Sequence, residues 1–91
     1  MRYSYDPKKK LANLKKHGLD FDDVPHLFEQ SKTVTFEDRR YRYDEERFVT
    51  LGLLRGEVVL VVTTETDEVI HTISMRKADK NEQAIYFRNV E

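Results

Sequence analysis

The chain has 91 residues, so we expect one domain, residues 1–91. Its 16 Lys and Arg nearly balance 17 Asp and Glu, so any binding of nucleic acid must use a local basic patch. It contains no cysteine, which excludes disulfides, thiolate metal sites and cysteine nucleophiles. No apolar run approaches membrane-spanning length and the N-terminus lacks the apolar core of a signal peptide, so we expect a soluble, cytoplasmic protein without a membrane partner.

The first predicted elements are a short strand and a lysine-rich helix. Residues 2–5 alternate aromatic and polar side chains, which predicts the strand. The helix begins with Asp6 as N-cap and ends at Gly18, because glycine readily adopts the left-handed conformation that closes a helix. Leu11 and Leu14 lie within about 60° of each other around the helix axis, so we expect this pair to face the core.

A second face of the same helix is basic and rich in polar groups. Lys9, Asn13, Lys16 and His17 lie within about 100° of each other on it. One interpretation is a solvated surface, since lysine favours helices and cations stabilise a helix C-terminus. The other is an anion-binding face for phosphate or nucleic acid. The helix alone leaves both interpretations open.

An apolar stripe predicts a second helix after Gly18. Phe21, Val24, Leu27 and Phe28 follow the spacing of a buried helical face. Pro25 interrupts this pattern, because proline lacks the backbone N–H that a helix interior requires. The helix is therefore either kinked at Pro25 or begins near it.

Residues 37–46 form a charged segment without glycine or proline, which we expect to be an exposed loop. Its arginines and tyrosines alternate in a way that suits stacking on bases and holding phosphates. Five acidic residues in the same ten favour instead a loop that pairs with itself. The alternating residues are Arg39, Arg40, Tyr41, Arg42 and Tyr43.

The second half of the chain predicts an antiparallel sheet followed by a helix. Strands are expected at 33–36, 47–54, 58–64 and 69–75, and the last three are joined by turns too short for parallel pairing. A final helix is expected over 78–89, with Asp79 and Glu82 as a capping box. The predicted class is α+β: a short N-terminal strand, two helices, an antiparallel meander and a C-terminal helix, with the helices covering one face of the sheet.

The residue types available for chemistry suit RNA cleavage without a metal or other cofactor. The 3 histidines lie far apart in sequence, with no close pair of metal ligands. In RNA the 2′-hydroxyl supplies the nucleophile, so the protein need only position the strand, move protons and stabilise negative charge. Arg47 begins the meander, and Arg76 follows its last strand. Alternation of side chains along that strand predicts that Arg76 lies on the same face as Ser74, Thr72 and Ile70.

Motifs spread over nearly the whole chain combine in a specific way: Tyr5-Asp6-Pro7, Lys9, Asn13, Lys16-His17-Gly18, Phe21, Phe28, Glu46-Arg47-Phe48, Gly52, and Ile73-Ser74-Met75-Arg76-Lys77-Ala78 with Glu82 and Tyr86. With these motifs the chain resembles the BrnT toxins of bacterial BrnT–BrnA toxin–antitoxin pairs, which are similar in fold to RelE-type ribonucleases. The resemblance implies a metal-independent endoribonuclease that cleaves RNA and blocks translation until a cognate BrnA-like antitoxin covers it. Operator DNA would be bound only through the antitoxin.

The resemblance also directs the assignment of site residues. We expect Arg76 and Arg47 to contact the phosphate and the transition state, and His17 or His71 to transfer protons. Tyr86 would orient or stack on a base. The RNA backbone would be bound by the basic helix face: Lys9, Asn13 and Lys16.

Two positions depart from the family pattern, because Thr66 and His71 stand where members often carry arginine. His71 either retains a proton-transfer role, since the ordinary pKa of histidine is about 6.5, or is simply a half-buried strand residue. If the missing arginines bind the scissile phosphate, a second function becomes possible, a binding module that acts mainly as antitoxin partner and co-repressor. A structural domain of the same α+β class is the third alternative.

Overall fold

The computed structural model describes residues 1–39 and 46–90, which form an α+β fold as predicted. The strands are β1 (Arg2–Tyr5), β2 (Val34–Glu37), β3 (Phe48–Leu54), β4 (Glu57–Glu65) and β5 (Val69–Lys77). The helices are α1 (Pro7–His17), α2 (Val24–Gln30) and α3 (Lys80–Asn89), and a 3-10 turn, Phe21–Asp23, precedes α2. Of the base-stacking candidates in the charged loop, Arg40, Tyr41, Arg42 and Tyr43 lie outside the described residues.

The strands form one mixed sheet in the order β1-β5-β4-β3-β2. β3, β4 and β5 pair antiparallel, as the short turns predicted, and β2 also pairs antiparallel with β3. β1 pairs parallel with β5, with Arg2 opposite Val69 and Tyr5 opposite Thr72. Beyond Thr72, no strand in the described part of the chain covers the outer edge of β5.

The helices lie on both faces of the sheet, so the prediction that they cover one face was wrong. Val59 and Val61 of β4 pack with Leu27 of α2, and we call this side the α2 face. Val58 and Leu60 pack with the residues around α3, and we call this side the α3 face. The physical reason lies in β4 itself, whose run from Val58 to Val62 is apolar at every position and therefore needs cover on both sides.

The prediction for the core side of α1 was also wrong. Leu11 and Leu14 are 62% and 39% exposed, whereas Asn13 is only 7% exposed. The Asn13 side chain accepts a hydrogen bond from the Met75 backbone N–H at 3.1 Å and donates one to the Leu19 carbonyl at 3.2 Å. The open edge of β5 presents backbone groups that need hydrogen-bond partners, so α1 meets it with an amide rather than with leucines.

The helix ends follow the sequence closely. Asp6 caps α1 by accepting from the Lys8 N–H, and Gly18 closes it in the left-handed region at φ 69°. The capping box of Asp79 and Glu82 at the start of α3 is present as predicted. α2 begins at Val24, so the alternative in which Pro25 lies at the helix start is the correct one. No helix in residues 1–39 or 46–90 is long and apolar enough to cross a membrane.

Candidate functional site

A β-bulge in β5 decides which side chains share a face of the sheet. Val62 of β4 pairs with Ser74, but the next residue, Thr63, pairs with Thr72. Ile73 is therefore an extra residue without a partner on β4. Because side chains alternate along a strand, one extra residue exchanges the two faces for the part of β5 that precedes it.

The bulge places Arg76, Ser74 and His71 on the α3 face. Paired residues of antiparallel strands point to the same side, and these three lie opposite Leu60, Val62 and Thr64 respectively. Thr72 and Ile70 turn to the α2 face and are buried there. The expectation from alternation was thus right for Ser74 and wrong for Thr72 and Ile70. Sequence reasoning could not bring His71 to the face of Arg76, because a bulge leaves no distinct signal in a single sequence.

Arg47 lies at the same end of the α3 face as His71. Its carbonyl accepts a hydrogen bond of 2.7 Å from the Asp38 N–H, which extends the pairing of β2 and β3 by one residue. Val49 packs on the α3 side, so alternation turns Arg47, two residues earlier, toward the same side. β4 separates Arg47 from His71, and two strand spacings put their backbones about 10 Å apart. Their side chains can therefore reach a common ligand.

His71 is half-buried on its strand. Its Nδ1 lies 2.7 Å from the Ser4 hydroxyl oxygen of β1, the strand that pairs with β5 in parallel register. One ring nitrogen is therefore engaged with the protein. The other, Nε2, is the nitrogen that remains for a ligand.

Arg76 is held at the start of α3. Both terminal nitrogens of its guanidinium donate to the Glu82 carboxylate at 2.8 Å, and one of them also reaches the Lys77 carbonyl at 3.2 Å. Glu82 in turn accepts from the Asp79 N–H as part of the capping box. The Arg76 side chain remains 37% exposed, so this ion pair orients the guanidinium without burying it.

Arg76 and His71 are too far apart to act on one atom. They lie opposite Leu60 and Thr64, which are four residues apart on β4. With a rise of about 3.3 Å per residue, their backbones are separated by about 13 Å. A ligand that touches both must therefore be extended, as a nucleic-acid strand is.

The basic face of α1 borders this region. Asn13 fixes the middle of that face against Met75, so the residue serves to dock the helix. Lys9 and Lys16, about one turn before and after it, are exposed. His17 is half-buried at the C-terminal end of the helix. The two lysines thus flank the open edge of the strand that carries Arg76.

Tyr86 lies in the core. It is 1% exposed, its hydroxyl donates to the Lys32 carbonyl at 2.8 Å, and burial raises the pKa of that hydroxyl. Its ring packs edge-on against Phe87 at 5.2 Å between centroids. A ring enclosed in this way supports α3 and offers no open surface on which a base could stack.

Sequence reasoning missed a pocket beside Glu82. It has a volume of about 270 Å³ and opens on the α3 face between β2 and α3. The lining is largely apolar but also contains charged side chains. The apolar residues are Phe36, Val49, Leu51, Leu60 and Ile85, and the charged ones are Glu37, Asp38, Arg39 and Glu82. Phe36 is 40% exposed, so the pocket has an aromatic surface open to solvent. The available signal was the alternation of apolar residues on β3, which include Val49 and Leu51 of this pocket.

Among the described residues, no group of three or more His, Asp or Glu side chains is placed to hold a metal ion. The site is instead defined by cations and one imidazole on an open sheet face, next to an apolar slot. These groups can bind an extended anionic strand, exchange a proton and accommodate a flat apolar group.

These side chains are carried by a small α+β fold, for which one comparison with known proteins gives a family. A family described as the ribonuclease toxin BrnT of type II toxin–antitoxin systems matches residues 5–82, which is most of the chain. The protein therefore belongs to the BrnT family of ribonuclease toxins, and the resemblance noted in the sequence is confirmed. A comparison with curated proteins gives no match.

Proposed function

We propose that the protein is a metal-independent endoribonuclease of the bacterial cytoplasm that blocks translation and is neutralised by a cognate BrnA-like antitoxin. Family membership supports the toxin and ribonuclease parts of this proposal. The observation that supports the proposed catalysis is the bulge at Ile73, which brings His71 onto the same face as Arg47 and Arg76. Our proposal includes the expected similarity in fold to RelE-type ribonucleases.

In the proposed reaction, His71 acts as the base. Its Nε2 takes the proton of the 2′-hydroxyl, the 2′ oxygen bonds to the adjacent phosphorus, and the bond from phosphorus to the 5′ oxygen breaks. The 5′ oxygen takes a proton from water, and the hydroxide that remains takes the proton from the His71 imidazolium, so the products are a 2′,3′-cyclic phosphate and a 5′-hydroxyl. We assign this role to His71 rather than His17, because only His71 shares the α3 face with Arg47 and Arg76.

Arg47 would stabilise the reacting phosphate. A guanidinium can donate two parallel hydrogen bonds to phosphate oxygens, and it reaches the His71 end of the face across a single strand. The negative charge of the phosphorane would therefore develop on the same face of the sheet as the Arg47 guanidinium. This is the contribution that a protein can make when the substrate supplies its own nucleophile.

Arg76, Lys9 and Lys16 would hold the rest of the RNA strand. The backbones of Arg76 and His71 are about 13 Å apart, so the two residues would contact different phosphates of an RNA strand that lies across the sheet. Exposed lysines on α1 would contact further phosphates, with an affinity that falls as salt rises. The apolar pocket beside Glu82 would receive a base of this strand, with Phe36 as its stacking surface.

Cleavage of RNA by purified protein in buffer with a chelator tests the proposal. We expect cleavage by the natural sequence and a loss of at least about 100-fold in His71→Gln, the size typical of a missing base. Arg55→Ala is the matched control, because Arg55 is exposed and its guanidinium pairs with Asp23, the residue directly before α2. Intact RNA with the natural sequence, or full cleavage by His71→Gln, contradicts the proposal.

Regulated expression in bacteria tests toxicity. We expect growth arrest that co-expression of the adjacent antitoxin gene relieves, and RNA ends that map to discrete cleavage sites. Arg76→Ala should abolish growth inhibition while the protein remains folded, as judged by its circular dichroism spectrum and melting temperature. Full toxicity of a folded Arg76→Ala variant would remove Arg76 from the site.

The contact between Arg76 and Glu82 favours a second candidate function. Both terminal nitrogens of the guanidinium already donate to this carboxylate, so phosphate must compete for them. A protein in which that ion pair persists would act mainly as antitoxin partner and operator co-repressor. Tight antitoxin binding together with intact RNA supports this function, whereas products that disappear in Arg76→Ala support the enzyme.

A further inference from the structure

Ser4 is a polar residue of the α3 face that the proposed reaction has not used. It lies on β1, next to His71 in the parallel pairing of β1 with β5. Its hydroxyl oxygen is 2.7 Å from Nδ1 of His71, although the two residues are 67 positions apart in the sequence. Both side chains are half-buried, so water competes for this hydrogen bond less than it would at an exposed site.

The hydrogen bond to Nδ1 controls what Nε2 can do. A neutral imidazole carries one proton, so one ring nitrogen donates and the other accepts. A base that removes the 2′-hydroxyl proton through Nε2 must therefore carry its own proton on Nδ1. Free histidine favours the opposite form, with the proton on Nε2, so the protein has to select the useful tautomer.

We propose that Ser4 is the positioning residue that selects this tautomer, by accepting a hydrogen bond from Nδ1–H of His71. This inference rests on the proposed function, in which His71 is the base. Ser4 touches neither the substrate nor the reacting atoms. It acts through the imidazole, by fixing the ring orientation and leaving Nε2 unprotonated toward the open face.

Among the described residues on the neighbouring strands, Ser4 is the one whose side chain is hydrogen-bonded to the His71 ring. On β4 the paired residue is Thr64, which lies opposite the backbone of His71, and no hydrogen bond joins the two side chains in the described structure. On β1 the nearest charged side chain of this face is Arg2, a cation that pairs with Glu68 at 3.9 Å. Arg47 lies across β4 and is also a cation. Neither arginine can accept a proton from Nδ1, so the Ser4 oxygen is the acceptor that the strands on either side provide.

Nuclear magnetic resonance of the histidine ring nitrogens tests the inference without RNA. At about pH 8, above the ordinary histidine pKa, a long-range ¹H–¹⁵N spectrum distinguishes the two neutral tautomers. His71→Gln identifies which signals belong to His71. We expect the Nδ1–H form in the natural sequence, a shift toward the Nε2–H form in Ser4→Ala, and recovery of Nδ1–H in Ser4→Thr, which keeps the hydroxyl.

Ser74→Ala is the matched control, because Ser74 lies on the same strand and face but is not bonded to His71 in the described structure. It should leave the tautomer of His71 unchanged. Circular dichroism melting establishes that each variant is folded. An Nε2–H tautomer in the natural sequence, or an unchanged Nδ1–H tautomer in folded Ser4→Ala, overturns the inference.

RNA cleavage then separates this inference from the proposed function. We expect Ser4→Ala to lower kcat about tenfold with little change in KM, and Ser4→Thr to restore it, because substrate binding does not depend on the tautomer. If the natural protein cleaves RNA but kcat is unchanged in Ser4→Ala, the positioning role is refuted and the ribonuclease stands. If the natural protein cleaves no RNA, the proposed function fails, and the catalytic meaning of the Ser4–His71 contact fails with it.

Discussion

Helices α1 and α3 both attach to the sheet, but by opposite means. α1 lies along the free edge of the strand and is fixed by the Asn13 amide, while Leu11 and Leu14 remain exposed. α3 lies on a face of the sheet and is fixed by the buried ring of Tyr86. The difference teaches that the neighbouring surface decides what a helix buries. A strand edge needs hydrogen-bond partners, whereas a sheet face needs apolar area.

This difference also suits the candidate site. Because an amide rather than an apolar face docks α1 on β5, Lys9 and Lys16 stay in solvent. Because α3 is anchored in the core, its first turn holds Glu82 firmly, and Glu82 orients Arg76. One helix therefore presents exposed positive charge, and the other provides the carboxylate that orients the Arg76 guanidinium.

The largest expected effect tests the apolar attachment of α3. Tyr86→Ala should lower the free energy of unfolding by about 3–5 kcal/mol, because it empties a buried ring volume. Tyr86→Phe is the control and should cost about 1 kcal/mol, since it loses only the hydrogen bond to the Lys32 carbonyl. Urea unfolding followed by circular dichroism measures both. A loss below about 1 kcal/mol in Tyr86→Ala would show that α3 is held elsewhere.

A smaller but specific loss tests the polar attachment of α1. Asn13→Ala should lower the free energy of unfolding by about 1–3 kcal/mol, because the buried Met75 N–H loses its partner. The Met75 amide should also exchange its hydrogen faster than in the natural sequence. Lys16→Ala, an exposed change on the same helix, should do neither. Unchanged exchange at Met75 in Asn13→Ala would disprove the edge contact.

The ion pair between α1 and the 3-10 turn predicts a pH-dependent effect. The Asp22 N–H and Lys10 lower the pKa of Asp20, the former at 2.9 Å and the latter at 3.1 Å. A lowered folded-state pKa contributes stability above the unfolded pKa, and that stability is lost as pH falls through the folded value. Asp20→Asn should therefore be less stable than the natural sequence at neutral pH, and the difference should shrink on acidification.

The control for this experiment is Asp67→Asn, an exposed change in the turn between β4 and β5. It should show no such convergence with the natural sequence. Asparagine at position 20 can still accept the capping hydrogen bond, so the comparison isolates the charge. Parallel unfolding curves for Asp20→Asn and the natural sequence at every pH would contradict a role for the charge.

The smallest expected effect concerns Leu11, which the spacing of apolar residues predicted to face the core. Leu11→Ser should change the free energy of unfolding by no more than about 0.5 kcal/mol, because the side chain is already in water. The same substitution at Leu27, which is fully buried, should cost several times as much. A loss of about 2 kcal/mol or more in Leu11→Ser would restore the original expectation of a buried leucine.

Local signals in the sequence were sufficient for the elements and their ends. The caps at Asp6, Gly18 and Asp79 depend on neighbouring residues, and short turns determine antiparallel pairing, so both could be predicted. The burial of Asn13 could not, because it depends on an edge left open by a strand more than 60 residues away in the sequence. The spacing of apolar residues predicted instead that Leu11 is buried, because a prediction from spacing assumes that the helix packs on an apolar surface.

The candidate site was predicted in its parts but not in its arrangement. Arg47, Arg76 and His71 were named from residue types and family resemblance. Their common face depends on one unpaired residue, Ile73, and strand alternation alone puts His71 and Arg76 on opposite sides. Tyr86 matched the family motif equally well, yet its side chain is buried. A motif match alone does not distinguish a residue that supports the fold around a site from one that contacts a ligand.

The pairing of β1 with β5 also bears on how the protein folds. Ser4 and His71, which this pairing brings together, are 67 positions apart in the sequence. Contacts between such distant residues form late and slowly, because the chain between them must first be closed into a loop. We therefore expect the contact between these two side chains to form late when the unfolded protein refolds, after the hairpins of β3, β4 and β5.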